Sequence, residues 1–246
     1  MNLLVLDYPG HRAEAKVAEL CLEDAGHDVV YLLSRSLPTD HAAQAYARSA
    51  LSAVGPRDTT PDAVLAYCMA APLAQEVAAA TGAPLLVLLD GEPSTPEAVE
   101  RELRLVLRPT ATGVGRLPAW WDRELLRERT ADVLTLVRDS VRSSVRAGLA
   151  DGAGLEGEEL DEVAEPVVTA YVDWITHLVA ACRADFPAWG GEVVHVASRE
   201  HQVIDPWPGA AATSVVRLDV ERNGLLADDS AREAVLRILR RWEDAR

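Results

Sequence analysis

Residues 65–82 read LAYCMAAPLAQEVAAATG, and this stretch predicts a strand, a tight turn and a helix in succession. The apolar residues before Cys68 are typical of a buried strand, and PLAQEVAAAT is typical of a helix. Gly82 follows directly, and glycine commonly ends a helix because it adopts the left-handed conformation without strain. Cys68 therefore stands at the tip of the predicted turn, either as a nucleophile or as an apolar filler.

The alternation of strands and helices continues on both sides of this unit. Apolar runs at 3–6, 27–33 and 83–90 are typical of buried strands, and helix-like segments lie at 13–26 and 38–54. Such alternation predicts an α/β fold with a mostly parallel sheet flanked by helices. In sheets of this kind, ligands bind at the carboxyl ends of the strands.

Two aspartates share that position with Cys68. Asp7 follows the first predicted strand, and Asp90 ends the run APLLVLLD. Because the carboxyl ends of parallel strands meet at one edge of the sheet, all three side chains are expected at that edge.

The alternation stops near residue 95. The pattern is then helical until strands return at 190–198 and 213–220, and an amphipathic helix closes the chain. We therefore expect a single α/β domain over residues 1–246, with a helical lid at 111–189 inserted between late strands.

The net charge of the chain excludes some classes of binding partner. The formal net charge is −15, and a protein this acidic repels the phosphates of nucleic acid. Residues 101–146 depart from this trend with ten arginines against six acidic residues. This stretch is either an ordinary solvated surface or a basic face that docks an acidic partner.

The remaining composition excludes several other classes. The three cysteines are widely spaced and match no metal pair or disulfide framework, which favours a reducing cytoplasm. The N-terminal MNLLVLDYPG lacks a basic region before its short apolar run, so no signal peptide and no membrane partner are expected. We also expect no metal and no nucleotide, because neither ligand spacing nor a glycine-rich phosphate loop is present.

The turn around Cys68 has the form of a nucleophile elbow. Such a turn lifts the nucleophile above the sheet, beside a helix N-terminus that stabilises negative charge. The usual motif is G-x-S-x-G, whereas residues 66–70 read AYCMA. The small flanking residues are kept as alanines, and Cys68 stands in place of the serine.

Several segments together resemble the thioesterase family of α/β-hydrolases that serve nonribosomal peptide and polyketide synthases. PLAQEVA resembles the family's helix after the elbow, and LLVLLDGEPS resembles the strand that carries the acid of the triad. Asp90 therefore matches that acid. LLVLDYPGHR resembles the strand and loop of the oxyanion hole. The oxyanion and pocket residues implied are Tyr8, Pro9, Gly10, His11, Tyr67 and Met69.

The general base of the family has no counterpart. The family's histidine follows the last strand, but the corresponding turn at 220–226 reads VERNGLL. His201 lies on a loop after a predicted strand and is the candidate replacement, with His11 as the second. Each is alternatively an ordinary surface histidine.

Two interpretations of Cys68 stay open. In the first, the elbow binds or accepts an acyl or peptidyl group without hydrolysing it, because no base activates water. In the second, Cys68 is the nucleophile of an active thioesterase or acyltransferase, since a thiolate needs less activation than a serine. The missing histidine favours the first interpretation. Asp90 favours the second, unless its carboxylate caps a turn.

The resemblance also implies partners. Family members act on acyl groups that phosphopantetheine tethers to carrier proteins, so an acyl or peptidyl carrier protein, or a small acyl substrate, is expected. No cofactor of the chain itself is implied. Because carrier proteins are generally acidic, Arg138, Arg142 and Arg146 are the expected docking contacts.

Overall fold

The computed structural model describes residues 1–9, 16–34, 37–56, 59–107 and 116–245. Gly10 and His11, two of the expected oxyanion residues, lie outside these stretches. None of the helices within them combines the length and the apolar character that crossing a bilayer needs.

Six strands of the described chain form one parallel sheet. They are β1 (Asn2–Leu6), β2 (Asp28–Tyr31), β3 (Ala63–Tyr67), β4 (Leu85–Leu89), β5 (Glu192–Ala197) and β6 (Ala212–Arg217). Their order is β2-β1-β3-β4-β5-β6, and every neighbouring pair is parallel. The predicted α/β class with a parallel sheet is confirmed. The strand that leads into Cys68, β3, lies between β1 and β4 near the centre of the sheet.

Helices cover both faces of this sheet. They are α1 (Ala43–Ala53), α2 (Ala71–Thr81), α3 (Pro96–Val106), α4 (Arg123–Glu128), α5 (Thr130–Ala153), α6 (Gly157–Cys182) and α7 (Asp229–Asp244). One face packs under α1, α2 and the end of α6, and the other packs under α7. A parallel strand between two such layers must be apolar on both sides. Accordingly, β4 reads LLVLL and all five of its residues are buried.

The helix predicted at 13–26 does not form in the described part of that segment. Two short 3₁₀ turns, Val17–Leu20 and Glu23–Ala25, replace it. Leu20 and Leu22 are both fully buried, but residues two apart on an α-helix do not share a face. The chain instead turns at Cys21, whose φ of +46° is left-handed, and so buries both leucines.

Between β4 and β5 the chain forms α3, which precedes the expected helical insertion at 111–189, and then α4, α5 and α6, which lie within it. The long helices α5 and α6 pack antiparallel on each other, and α6 also contacts α1, α2 and α3. The C-terminal half of α6 is part of the core, because Ile175, Leu178 and Val179 are fully buried. Movement of the remaining helices as a lid stays a prediction.

Candidate functional site

Cys68 adopts the backbone conformation of a nucleophile elbow. It follows the last residue of β3 directly and opens a short 3₁₀ turn that leads into α2. Its φ of +56° lies in the left-handed region, which is strained for a residue with a side chain. Ala66 and Ala70 are buried on either side of the turn. The amide of Glu92 donates to the Cys68 carbonyl at 3.2 Å, and so holds the loop after β4 against the elbow.

The Cys68 sulfur contacts an arginine and a glutamate rather than a histidine. Nη2 of Arg222 lies 2.8 Å from Sγ, and the thiol donates to Oε1 of Glu92 at 3.3 Å. Arg222 and Glu92 also pair with each other, at 2.8 Å and 3.3 Å. Arg222 belongs to the segment VERNGLL, where the family has its histidine. The Cys68 thiol therefore contacts a guanidinium, at the place where the resemblance to the thioesterase family implies an imidazole.

Burial and the negative charge of Glu92 keep the Cys68 thiol protonated at neutral pH. Burial, together with the charge of Glu92, raises the pKa of Cys68 to about 12, and Arg222 offsets only part of that shift. Burial would also raise the pKa of Glu92, but the hydrogen bonds and charge of Arg222 hold it below its usual value. The hydrogen bond to Glu92 raises the pKa of Arg222 further. Glu92 is therefore a weak base, and Arg222 is not a base at all.

Asp90, the expected acid of the triad, holds the end of the sheet together. It is fully buried, and its two carboxylate oxygens accept from the amide and the hydroxyl of Ser198, each at 2.7 Å. Its own amide donates to the Val196 carbonyl at 3.0 Å. These bonds tie the loop after β4 to the loop after β5. The alternative from the sequence is a carboxylate that caps the turn of its own segment, GEPSTPEAVE, but Asp90 instead binds Ser198 in another loop. Its role as the acid of a triad stays a prediction.

His201 lies beside Asp90. It is buried, so its interpretation as an ordinary surface histidine is wrong. Its Nε2 is 3.2 Å from the Gly91 carbonyl oxygen, and its Nδ1 is 3.9 Å from Oδ1 of Asp90. Among the described residues, no histidine makes a hydrogen bond with the Cys68 sulfur. A role for His201 as the base of Cys68 stays a prediction without a contact to support it.

The pocket residues separate into two groups. The Met69 amide hydrogen-bonds the Cys68 thiol and lowers its pKa. Its role as an oxyanion donor stays a prediction. The Tyr67 side chain hydrogen-bonds Arg222. Tyr8 instead packs on Trp174, with ring centroids 4.7 Å apart, and lines a surface cleft along α6 together with Pro9. The structure thus brings Tyr67 and Met69 to the Cys68 cluster, whereas Tyr8 faces the α6 cleft.

A polar cavity of about 540 Å³ adjoins the elbow. It lies among the loops that follow β4, β5 and β6. Its lining residues are Glu92, Ser198, Arg199, Glu200, His201, Gln202, Glu221, Arg222 and Asn223. Across the stretches of chain described, no group of three or more His, Cys, Asp or Glu side chains is placed to hold a metal ion.

The arginines expected to dock a carrier protein are engaged within the chain. Arg138 and Arg142 pair with Glu165 at 3.6 Å and 2.9 Å, and Arg146 pairs with Asp161. These acids come from the facing helix α6. Two acids thus offset part of the charge of three arginines, through exposed pairs that contribute little net free energy. Docking of a carrier protein at this face of α5 stays a prediction.

Sequence reasoning missed both partners of the Cys68 sulfur. Glu92 lies in LLVLLDGEPS, two residues after the aspartate that matched the family's acid. Arg222 is the only cation in VERNGLL, the turn examined for a histidine. Arg222 could therefore have been predicted as a partner of Cys68. A turn that places a histidine beside the elbow in the family places whichever residue stands at that position beside the elbow.

Comparison with solved structures establishes the fold. A proposed epoxide hydrolase from Pseudomonas aeruginosa is similar over 99% of this chain and 90% of its own, with 17% identity and a TM-score of 0.52. RedJ, with a polyethylene glycol molecule bound in the active site, matches over 97% and 90% of the two chains, with 16% identity and a TM-score of 0.50. The chain has the fold of an α/β hydrolase.

A thioesterase domain is among these structural neighbours. The Vlm2 thioesterase domain, bound with a dodecadepsipeptide, is similar over 98% of this chain and 93% of its own, with 11% identity and a TM-score of 0.50. No protein-family model matches the sequence, and no curated protein matches it. At these identities the likeness shows the fold alone, and the activity has to be argued from the Cys68 cluster.

Proposed function

We propose that this protein is a thioesterase-like protein of natural-product biosynthesis that binds or accepts an acyl or peptidyl group at the Cys68 elbow without hydrolysing it. The observation that carries the proposal is the contact of Arg222 with the Cys68 sulfur, at 2.8 Å. A histidine there would take the thiol proton and later activate water. A guanidinium stays protonated at every physiological pH and does neither.

The other groups at the elbow support the same conclusion. The Cys68 thiol is protonated at neutral pH, and Glu92, paired with Arg222, has a lowered pKa. Both oxygens of Asp90 are occupied by Ser198. Neither of the two side chains that hydrogen-bond the Cys68 sulfur, Glu92 and Arg222, is an efficient base, so an acyl group bound here is retained rather than released.

The similarity to a thioesterase domain and the resemblance of the elbow segments support an acyl thioester as the ligand. The group would arrive on the phosphopantetheine arm of a carrier protein in the cytoplasm, or as a small acyl substrate. The exposed arginines of α5, which pair with acids of α6, remain the proposed contacts of a carrier protein.

Release of free thiol tests the proposal. The protein is incubated with an excess of acyl-pantetheine thioesters, the free thiol is quantified, and the intact mass of the protein is recorded beside Cys68→Ala. We expect no more than one equivalent of thiol per chain, and any adduct only on protein that retains Cys68. Sustained turnover that disappears in Cys68→Ala would contradict the proposal.

That outcome would favour the second candidate, an active cysteine-dependent thioesterase or acyltransferase acting on carrier-protein thioesters. One observation favours it. Cys68 keeps the left-handed φ of +56° and the hydrogen bond from the Met69 amide, which are the backbone features that a working nucleophile needs. The number of turnovers separates the two candidates.

A further inference from the structure

Arg222 and Glu92 form a guanidinium–carboxylate fork beside the Cys68 sulfur. Nη2 of Arg222 lies 2.8 Å from both Sγ and Oε1 of Glu92, and Nη1 lies 3.3 Å from Oε2. Paired guanidinium donors match the two oxygens of a carboxylate. The elbow thus already holds one carboxylate at the thiol, and that carboxylate belongs to the chain itself.

This internal carboxylate is replaceable. The side chains of Arg222 and Glu92 are 40% and 30% exposed, and both line the polar cavity of about 540 Å³. An ion pair this exposed contributes little net free energy. A second carboxylate that enters the cavity therefore competes for the guanidinium on nearly equal terms.

The remaining charges of the cavity select among anions. Glu200 and Glu221 line it, and Arg199 is paired with Asp219. Two acids repel a doubly charged phosphate more strongly than a singly charged group. A carboxylate has both the single charge and the two-oxygen shape of the Glu92 group it would replace.

We propose that the acyl group taken by the Cys68 elbow carries a free carboxylate one or two carbons from its thioester carbonyl, and that this carboxylate replaces Glu92 on Arg222. The inference rests on the proposed function, because it specifies the acyl group. The short spacing follows from the contact between Arg222 and Sγ. Only a short acyl chain reaches the guanidinium while its carbonyl lies at the sulfur. The class is monothioesters of short dicarboxylic acids, such as malonyl and succinyl thioesters.

Replacement of Glu92 also prepares the thiol for acyl transfer. Without its counter-charge, Glu92 becomes a better acceptor for the thiol proton, 3.3 Å away. Sγ then forms a bond to the thioester carbonyl carbon, and the bond from that carbon to the pantetheine sulfur breaks. The proton passes through Glu92 to the departing thiolate, which leaves as a free thiol. The step consumes no water and changes no oxidation state.

Calorimetric titration separates recognition from transfer. Cys68→Ala protein, which forms no thioester, is titrated with malonyl-pantetheine and with butyryl-pantetheine, whose acyl chain has similar length but no charge. Because the entering carboxylate must replace Glu92 on Arg222, we expect malonyl-pantetheine to bind about threefold more tightly, and about tenfold more tightly where Glu92→Gln removes the internal competitor. Thermal unfolding of each variant confirms that it is folded.

Further variants in the same background identify the partner of the carboxylate. Arg222→Gln should remove the preference for malonyl, and Arg222→Lys, which keeps the charge without the fork, should retain part of it. Glu92→Gln should tighten malonyl binding because the internal competitor is gone. Arg129→Gln is the matched control, since Arg129 is exposed and pairs with Asp132 on α5.

The outcomes of these titrations test the preference for a carboxylate-bearing acyl group separately from the proposed function. Equal affinity for the two thioesters would overturn the inference and leave the proposed function in place. A malonyl preference that survives Arg222→Gln would overturn the role of Arg222. No binding of either thioester, together with no adduct on the wild-type protein, would overturn the proposed function and the inference together.

Discussion

Two carboxylates of the loop after β4 stand in opposite environments. Asp90 is fully buried, and both of its carboxylate oxygens accept hydrogen bonds from Ser198. The Glu92 side chain is 30% exposed, and its oxygens accept hydrogen bonds from Cys68 and Arg222. Asp90 stands where the resemblance places the acid of a triad. Glu92 has no such counterpart, yet it is the carboxylate that touches the thiol.

Under the proposed function, the contrast shows how a hydrolase elbow is kept without a proton relay. The acid at the expected position now serves the fold, because it joins two strand ends. The charge that reaches Cys68 comes instead from Glu92 and is neutralised by Arg222. A carboxylate paired with a guanidinium is a poorer proton acceptor than an unpaired one, because the positive charge stabilises its ionised form.

The largest effect is expected on stability, at Asp90. Asp90→Ala leaves the amide and hydroxyl of Ser198 without partners in a buried position and should lower the free energy of unfolding by about 3 kcal/mol. Asp90→Asn should cost much less, since Asp90 has a left-handed φ of +44°, which asparagine tolerates, and asparagine still pairs with Ser198. Urea unfolding measures both. A stable Asp90→Ala with altered Cys68 reactivity would instead return Asp90 to the site.

The reactivity of Cys68 should respond in opposite directions to changes in its two partners. Glu92→Gln removes a negative charge beside the sulfur, so the thiolate is favoured and alkylation should accelerate about tenfold. Arg222→Gln removes the positive charge beside the sulfur, which favours the thiolate, and should slow alkylation to a similar degree. Iodoacetamide labelling with peptide mapping measures the rate. The exposed Cys21 is the internal reference. Changes of the same sign would contradict the cluster's electrostatics.

The pH dependence of that labelling should be steep over a wide range. Because the pKa of Cys68 is raised to about 12, its rate should increase about tenfold per pH unit from about pH 7 to 10. The stability from the protonated thiol is complete below the ordinary thiol pKa and is lost as pH rises towards about 12. An early plateau in wild type, absent from Cys68→Ala, would show an activated thiolate.

The smallest effect is expected at a third carboxylate, Glu165 on α6. Its pair with Arg142 is exposed, and Arg142→Ala should lower the free energy of unfolding by about 0.5 kcal/mol without changing Cys68 reactivity. Glu165→Ala is the matched control, and the double variant measures the coupling. Loss of carrier-protein binding in Arg142→Ala, retained in Glu165→Ala, would support this face as a docking surface.

Most of the sheet could be predicted because its signals are local. Four or five apolar residues followed by a turn specify a buried strand, and the helix that ends at Gly82 carries its own stop signal. The segment at 13–26 escaped this reasoning. Its helical spacing was correct for Val17 and Leu20, but the need to bury Leu22 as well broke the helix.

The sequence by itself determined the elbow: a strand, small residues around Cys68 and a helix within one continuous stretch. Only the tertiary structure decided what the thiol meets. Arg222 lies 154 positions along the chain from Cys68 and 130 from Glu92. They meet because the strand order brings the turn after β6 and the loop after β4 to the same edge. No local sequence pattern encodes contacts between residues so far apart along the chain. The absence of a histidine from the turn after β6 was therefore visible in the sequence. The contact of Arg222 with the thiol became visible only once the sheet had brought the two loops together.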